Sequence, residues 1–583
     1  MNTKEIETNS LSSLKKILNS AGGWPVLEGE KWNENLFNWT YTMQQFIRLG
    51  FNPNMIFRFG LTTGAINVSK SLLLDQPSVF SWMRQGFNQS LVRSYYDFIV
   101  KVAIAFGANE ERSRIEMKDM VDLEIAIARI TLPLEERRNI LQGHTITIKT
   151  LEETYPYVPW LEYINIFLQP IHKSLTHADK VTITYPPYFK KLEYVMKNIS
   201  KRTLINFIHW KVIINLLIYL DSSIRSLKTE FNALLTGVSE REPRWKECTH
   251  TVRNGISTAT GALYVEHFFK KEAKQAVIGL IDEIKEQFVE TLKTVDWMDY
   301  ETRQQALKKA EAIRVHAVYP EELLNIRMID EHYKNLAVDP TKYLESIQNI
   351  SRFSLNLYYA KIGKPVNDKD WRRYAAITIT NAFYQPRLPA GILQDFFFDH
   401  RRPHYMNYGG IGCIIGHEIT HGFDDMGRHY DKDGELREWW QTTTKAAFDA
   451  RAQCIIDQYS NITIPELHLN VVIKGKSSRN ENIADNGGIK HAYLAYKKWV
   501  SKHGEEQILP GLPYTPEQMF WISAGNTWCE VINEQHRYFL LTDAVHLPHY
   551  YRINVPLMNS EYFARDFNCP EGSPMNPIHK CTV

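Results

Sequence analysis

Across residues 14–353 apolar side chains recur every three or four positions in long stretches parted by short turns, the spacing of amphipathic helices. Residues 91–106, 200–220 and 266–292 carry the pattern most clearly. Breaks fall at 50–54, at the extended stretch 180–188 with Pro186 and Pro187, and at 240–247. From Ala376 the texture changes. β-Branched and small residues alternate through 376–384, which predicts a strand ended by Pro386 and Pro389. Glycines then cluster at Gly391, Gly409, Gly410, Gly412 and Gly416 ahead of another amphipathic helix. The reading is a mainly α chain with a small β-sheet, in two parts: a helical lobe over 1–355 and a second lobe over 356–583.

Composition narrows the function classes. With 583 residues, 44% of them hydrophobic and 23% charged, the chain suits a large buried core and excludes disorder. Lys and Arg total 68 against 66 Asp and Glu, and no long like-charge run occurs, so nothing points to nucleic acid. No stretch reaches the 18 or so apolar residues of a membrane helix; residues 212–220 come nearest and contain Asn215. The first residues, MNTKEIETNSLSSLKK, lack the apolar core of a secretory signal. As written, the chain is expected neither to insert in a membrane nor to announce export. Six sequons, at Asn38, Asn67, Asn88, Asn198, Asn349 and Asn461, lean toward a secreted context. The six cysteines show no Cys-x-x-Cys spacing, which argues against zinc ribbons and thioredoxin-type redox chemistry.

The chemistry concentrates in GHEITHGFDD, residues 416–425. His417 and His421, four apart, share one helix face, so their imidazoles can share one metal ion. Glu418 sits beside the first of them and can take a proton from an attacking water without ligating. Chance alone puts His-Glu-x-x-His in roughly four of a hundred chains of this size, so the motif needs a third ligand. ENIADNGG, residues 481–488, supplies one: Glu481 can ligate, and Asp485, four further on, can accept the second N–H of a ligand histidine. Asp424 shares the face of the two histidines and is a second candidate for orienting them.

These residues resemble the neprilysin and endothelin-converting-enzyme family of zinc metallopeptidases. The likeness runs through NAFY (381–384), PAGILQ (389–394), NYGGIG (407–412) into GHEITHGFDD, Trp439-Trp440, residues 481–488, and FNCPEGSPMNP (567–577) with Lys580-Cys581. Fainter likeness reaches back through Trp297, Arg244-Trp245 and Cys248 to GGWP (22–25). The resemblance implies two lobes enclosing a cavity, the catalytic one thermolysin-like. It implies one Zn2+ per chain on His417, His421 and Glu481, with Glu418 as base. His546 would donate to the oxyanion, Arg552 would bind a substrate carbonyl, and Asn381 and Ala382 would hold the extended peptide along a strand edge. Ile392, Phe397, Cys413, Ile414 and Trp528 would line a hydrophobic pocket beyond the scissile bond. Short peptides are the implied partners, and an extracellular or cell-surface setting the implied location. Cys454 and Cys581 look like a family disulfide, whereas Cys248, Cys529 and Cys569 resemble cysteines whose family partners precede this sequence; Cys413 is expected buried.

Three departures matter. By the resemblance, a cytoplasmic tail, a membrane helix and a cysteine-containing segment are expected before GGWP, which here falls at Gly22. The stretch from Tyr384 to Pro389 is about five residues shorter than in relatives. Asp543 stands three before His546 where the family has an acid two before it, so its role as an orienter of His546 is open. The alternative reading is a truncated, catalytically inactive peptide-binding homologue; an aminopeptidase is disfavoured by the absence of Gly-x-Met-Glu-Asn.

Overall fold

The computed structural model describes residues 3–36, 38–51, 54, 56–62, 69–137, 143–384, 387–464 and 473–582; the Asn67 sequon and Pro386 lie outside them. The described chain is mostly helical with two small sheets. It forms two compact units, Met1–Thr251 with His332–Val366 and Val252–Glu331 with Asn367–Val583. This differs from the single boundary expected at residue 355. Helical periodicity shows that a helix has an apolar face, but not which core that face meets. The stripe Val277, Leu280, Ile281, Ile284 and Phe288 of α1 (Lys271–Thr294) faces the second unit, where Phe288 packs on Phe423 and His491.

In the first unit, β1 (Arg58–Leu61), β2 (Leu72–Asp75), β3 (His144–Thr147) and β4 (Lys180–Ile183) form one sheet in the order β1-β2-β4-β3, with β2 and β4 parallel and the outer pairs antiparallel. Helices pack around it over a core that includes Trp24, Trp160, Trp210, Tyr163 and Tyr188. The stretch of helical periodicity over 266–292 breaks at Phe269 and Lys270, between Ser257–Phe268 and α1. Among the described residues no single helix is long and apolar enough to cross a membrane. The pair Lys201–Tyr219 and Ser222–Thr236, bent by 108°, is long and apolar enough only jointly, and most apolar residues of its first member lie in the core.

In the second unit, β5 (His316–Val318) pairs in parallel with β6 (Arg387–Pro389). The strand expected over 376–384 is not a sheet member. Residues 375–382 have no regular structure, and only Phe383 makes a bridge, to Arg387. Contacts local to the segment take the place of a ladder: Gly391 N–H donates to Ile377 C=O (2.7 Å) and the Arg387 guanidinium donates to Ala376 C=O. The other elements needed below are α2 (Tyr300–Ala312), α3 (Cys413–Thr420), α4 (Thr442–Ser460), α5 (Arg479–His503), α6 (Pro516–Thr527) and α7 (His549–Asn559). A disulfide joins Cys454 on α4 to Cys581.

Candidate active site

The site is built where α3 and α5 touch backbone to backbone. A Cβ on Gly416 would lie 2.5 Å from Gly488 C=O, and one on Gly488 would lie 2.6 Å from His417 N and 2.7 Å from Cys413 C=O. Glycines inside helices cost about 1 kcal/mol each relative to alanine. Here they let two helices approach until the side chains one turn away share a common centre. A π-helical turn, Tyr408–Gly412, leads directly into α3, and its Gly409 and Gly410 lie against the carbonyls of Phe520 and Phe397.

On α3, His417 is buried, and His421 caps the helix end with helical dihedrals, so the two rings still share one face at a centroid distance of 4.5 Å. Glu481 enters from the first turn of α5. Its Oε2 lies 3.4 Å from His417 Nε2 and 3.6 Å from His421 Nε2. The loop before α7 brings His546 Nε2 to 3.0 Å from the same oxygen. The outer nitrogens face carboxylates: His417 Nδ1 is 2.8 Å from Asp485 Oδ1 and His421 Nδ1 is 2.7 Å from Asp424 Oδ2. Glu418 is half-buried beside them.

One donor atom from each of His417, His421 and Glu481 falls within a 4.8 Å cluster. This donor set fits zinc, which takes imidazole nitrogens and a carboxylate oxygen and leaves a fourth position open in catalytic sites. Two further observations support the fit. Buried Glu481 Oε2 satisfies hydrogen-bond geometry with none of its neighbours. And four carboxylates, those of Glu418, Asp424, Glu481 and Asp485, gather around the two imidazoles, with the Arg552 guanidinium against Asp485. Burial raises the pKa of Glu418, and its neighbour Glu481 adds to the rise. Burial acts on Glu481 in the same sense, yet the imidazoles around it hold its carboxyl far below the ordinary range.

Arg552, read in the sequence as a grip on substrate, is first of all a partner of Asp485. Its Nε and Nη2 donate to the two Asp485 oxygens at 2.9 and 2.8 Å, and the ring of Trp528 covers its guanidinium at 4.4 Å. Asp485 is thus held from one side by Arg552 while it faces His417 on the other. Spacing along the chain gives no hint of this pair, whose members are 67 residues apart. Asn480, whose amide donates to Glu481 Oε1 at 3.0 Å, and Lys309 were likewise passed over. Lys309 does leave a signal: it falls on the buried stripe of α2 with Thr302, Ala306 and Ala310.

The remaining candidates are more scattered. Asn381 is exposed and accepts from the N–H of buried Ala382 at 2.9 Å. Ile392 and Cys413 are buried, with burial pushing the Cys413 thiol up, while Phe397, Ile414 and Trp528 are half-buried. Asp543 ends the helix Glu534–Thr542 and accepts from the Thr542 hydroxyl at 2.8 Å.

A His-Glu-x-x-His helix set against a glutamate from a second helix defines the class: a zinc metallopeptidase of the kind whose third protein ligand is a carboxylate. Models of peptidase family M13 match residues 1–320 and 381–583, and the chain belongs to that family. Neprilysin-2 of Drosophila melanogaster is 38% identical, the match covering 100% of this chain and 78% of the relative. Endothelin-converting enzyme 1 of Mus musculus is 32% identical, covering 100% and 76%. Among solved structures, the zinc metalloprotease ZMP1 of Mycobacterium tuberculosis in complex with inhibitor superposes with a TM-score of 0.87 at 23% identity, covering 100% of this chain and 87% of that one. PepO of Lactobacillus rhamnosis gives a TM-score of 0.76 at 20% identity, covering 97% and 91%. The protein is a zinc metalloendopeptidase.

Proposed function

We propose that this protein hydrolyses short peptides on the amino side of hydrophobic residues, using one zinc ion held by His417, His421 and Glu481 and Glu418 as the base. The observation that carries the reading is the convergence of two imidazole nitrogens and Glu481 Oε2, with both outer ring nitrogens turned to buried carboxylates. Zinc bound there would supply a Lewis acid that polarises the scissile carbonyl and acidifies the attacking water.

The protein's own groups account for the rest. Asp424 fixes the ring orientation and tautomer of His421 through its hydrogen bond, and the Asp485 carboxylate lies 2.8 Å from His417 Nδ1 as its charge partner, leaving each Nε2 lone pair for the metal. Glu418, its basicity raised by burial, accepts the proton of the attacking water and passes it to the leaving amine. His546, exposed on its loop, donates from Nε2 to the carbonyl oxygen as it gains charge. Arg552 spends two of its five N–H groups on Asp485 and has others to offer a substrate carbonyl. The segment 375–382, outside any sheet, suits a peptide laid along it with the Asn381 amide as anchor. The half-buried apolar faces of Phe397, Ile414 and Trp528 support the hydrophobic preference, and the names of the relatives, neprilysin and endothelin-converting enzyme, support peptide substrates.

The test is hydrolysis of a terminally blocked, internally quenched peptide with a central Phe or Leu, with and without chelator and with zinc restored. Cleavage before the apolar residue that stops with chelator and returns with zinc is the expected result. Peptide binding without turnover in the zinc-loaded protein overturns the reading.

A further inference from the structure

Lys309 is 4% exposed, and its Nζ donates to three backbone carbonyls, those of Gly422 (2.6 Å), Gly427 (2.7 Å) and Tyr430 (2.5 Å). The rings of Phe423 and Trp439 flank the ammonium at 5.1 and 5.5 Å. All three carbonyls belong to the turn by which the chain leaves His421. That turn presents Asp424, whose Oδ2 faces His421 Nδ1 at 2.7 Å while its Oδ1 accepts the N–H groups of Met426 (2.8 Å) and Gly427 (2.6 Å). Gly427 is therefore held at both ends, its N–H on Asp424 and its C=O on Lys309. The turn is so tight that a Cβ on Gly427 would lie 1.8 Å from His421 C=O.

Three carbonyl dipoles converging in a buried place repel one another unless a multiple donor sits between them, and an ammonium offers three N–H groups from one atom. The helix that carries it is itself anchored. Asp299 caps α2, accepting from Thr302 N–H at 2.9 Å, and its own N–H donates to Thr444 of α4 at 2.9 Å. Burial lowers the pKa of Lys309 to about 7, and the carboxylates of Asp424 and Asp431 work against that shift.

We propose that Lys309 is a positioning residue of the metal site, acting through the 422–430 turn and Asp424 to keep His421 Nε2 aimed at the position it shares with His417 and Glu481. The inference rests on the zinc reading given above. It reaches past the two orienting carboxylates to the group that holds one of them in place.

The experiment compares the unaltered protein with Lys309→Met, Asp424→Asn and the double variant, each loaded with zinc and checked for folding by circular dichroism. The readouts are the rate of zinc release to a chromophoric chelator, the visible spectrum of the cobalt-substituted protein, and kcat and KM separately. Lys309→Met is expected to speed zinc release about 10–100-fold, the range typical of groups behind metal ligands. It should also shift the cobalt spectrum and lower kcat with KM little changed. In the Asp424→Asn background it should add little, because both substitutions break one chain of contacts. Should Lys309→Met fail to fold, Lys309→Gln, which keeps an N–H donor, takes its place with a smaller expected effect. Unchanged zinc release, or effects that multiply independently in the double variant, overturn the inference while leaving the zinc reading intact. Absence of bound zinc in the unaltered protein overturns the zinc reading, and this inference with it.

Discussion

The two units bury charge in opposite ways. In the first, buried ionisable groups are neutralised where they stand: Glu124 meets Lys211 at 2.9 Å, and Asp75 meets Arg58 and Arg137 at 3.1 Å each. Among the described residues His209 has no carboxylate beside it; it packs on Phe46, faces Ile205 C=O, and burial drives its pKa down to about 4. In the second, carboxylates outnumber cations around His417 and His421. Locally balanced burial contributes to the fold alone, whereas an excess of one sign held dry is a binding device, unfavourable until its counter-ion arrives.

The contrast breaks most sharply at the ligands. His417→Ala is expected to abolish zinc binding and peptide hydrolysis together while leaving the first unit folded, as metal analysis and hydrogen exchange would show. Glu418→Gln keeps the zinc but loses the base, and kcat should fall about 10²–10⁴-fold; retention of full activity in the zinc-loaded variant would remove Glu418 from the mechanism. Asp485→Asn strands the Arg552 guanidinium and loosens His417, and a zinc affinity about 10–100-fold weaker is the expected outcome in a chelator competition. Gly488→Ala pushes α3 and α5 apart at a cost of about 1–3 kcal/mol, readable in urea denaturation.

The smallest effect sharpens the comparison instead of breaking it. His491, buried in the second unit against Phe288, resembles His209 rather than the site histidines, and burial lowers its pKa to about 3. Since the folded state favours the neutral ring, its stability contribution is present above the unfolded value near 6.5 and fades as pH falls from there toward 3. His491→Gln should therefore flatten the loss of stability between pH 6.5 and 4. An unchanged pH profile would mean that the ring is not held neutral.

Much of this was legible in the chain, and the limits have physical causes. His417 and His421 could be picked out because a helix turns four-residue spacing into adjacency, and Glu481 because it opens a second acidic segment at a plausible distance. The Asn486-Gly487-Gly488 run marked the place without revealing its purpose, since a glycine inside a helix shows only that something comes close. Residues 376–384 had the alternation of a strand, but alternation states which faces differ and not whether a neighbour offers a ladder. The Arg552–Asp485 pair and the reach of Lys309 to the 422–430 turn were invisible, because both are made by packing between distant segments. The assignment of α1 and α2 to the second unit failed to show for the same reason.

The bond between Cys454 and Cys581 encloses Glu481, Asp485, His546 and Arg552 in one covalent ring, while His417, Glu418 and His421 stand outside it. A protease that nicks an exposed loop within that ring leaves the two fragments joined, so the damage shows as a shifted band only on a reducing gel. Half of the catalytic constellation is thereby insured against a single cut, and the His-Glu-x-x-His half depends on an unbroken backbone.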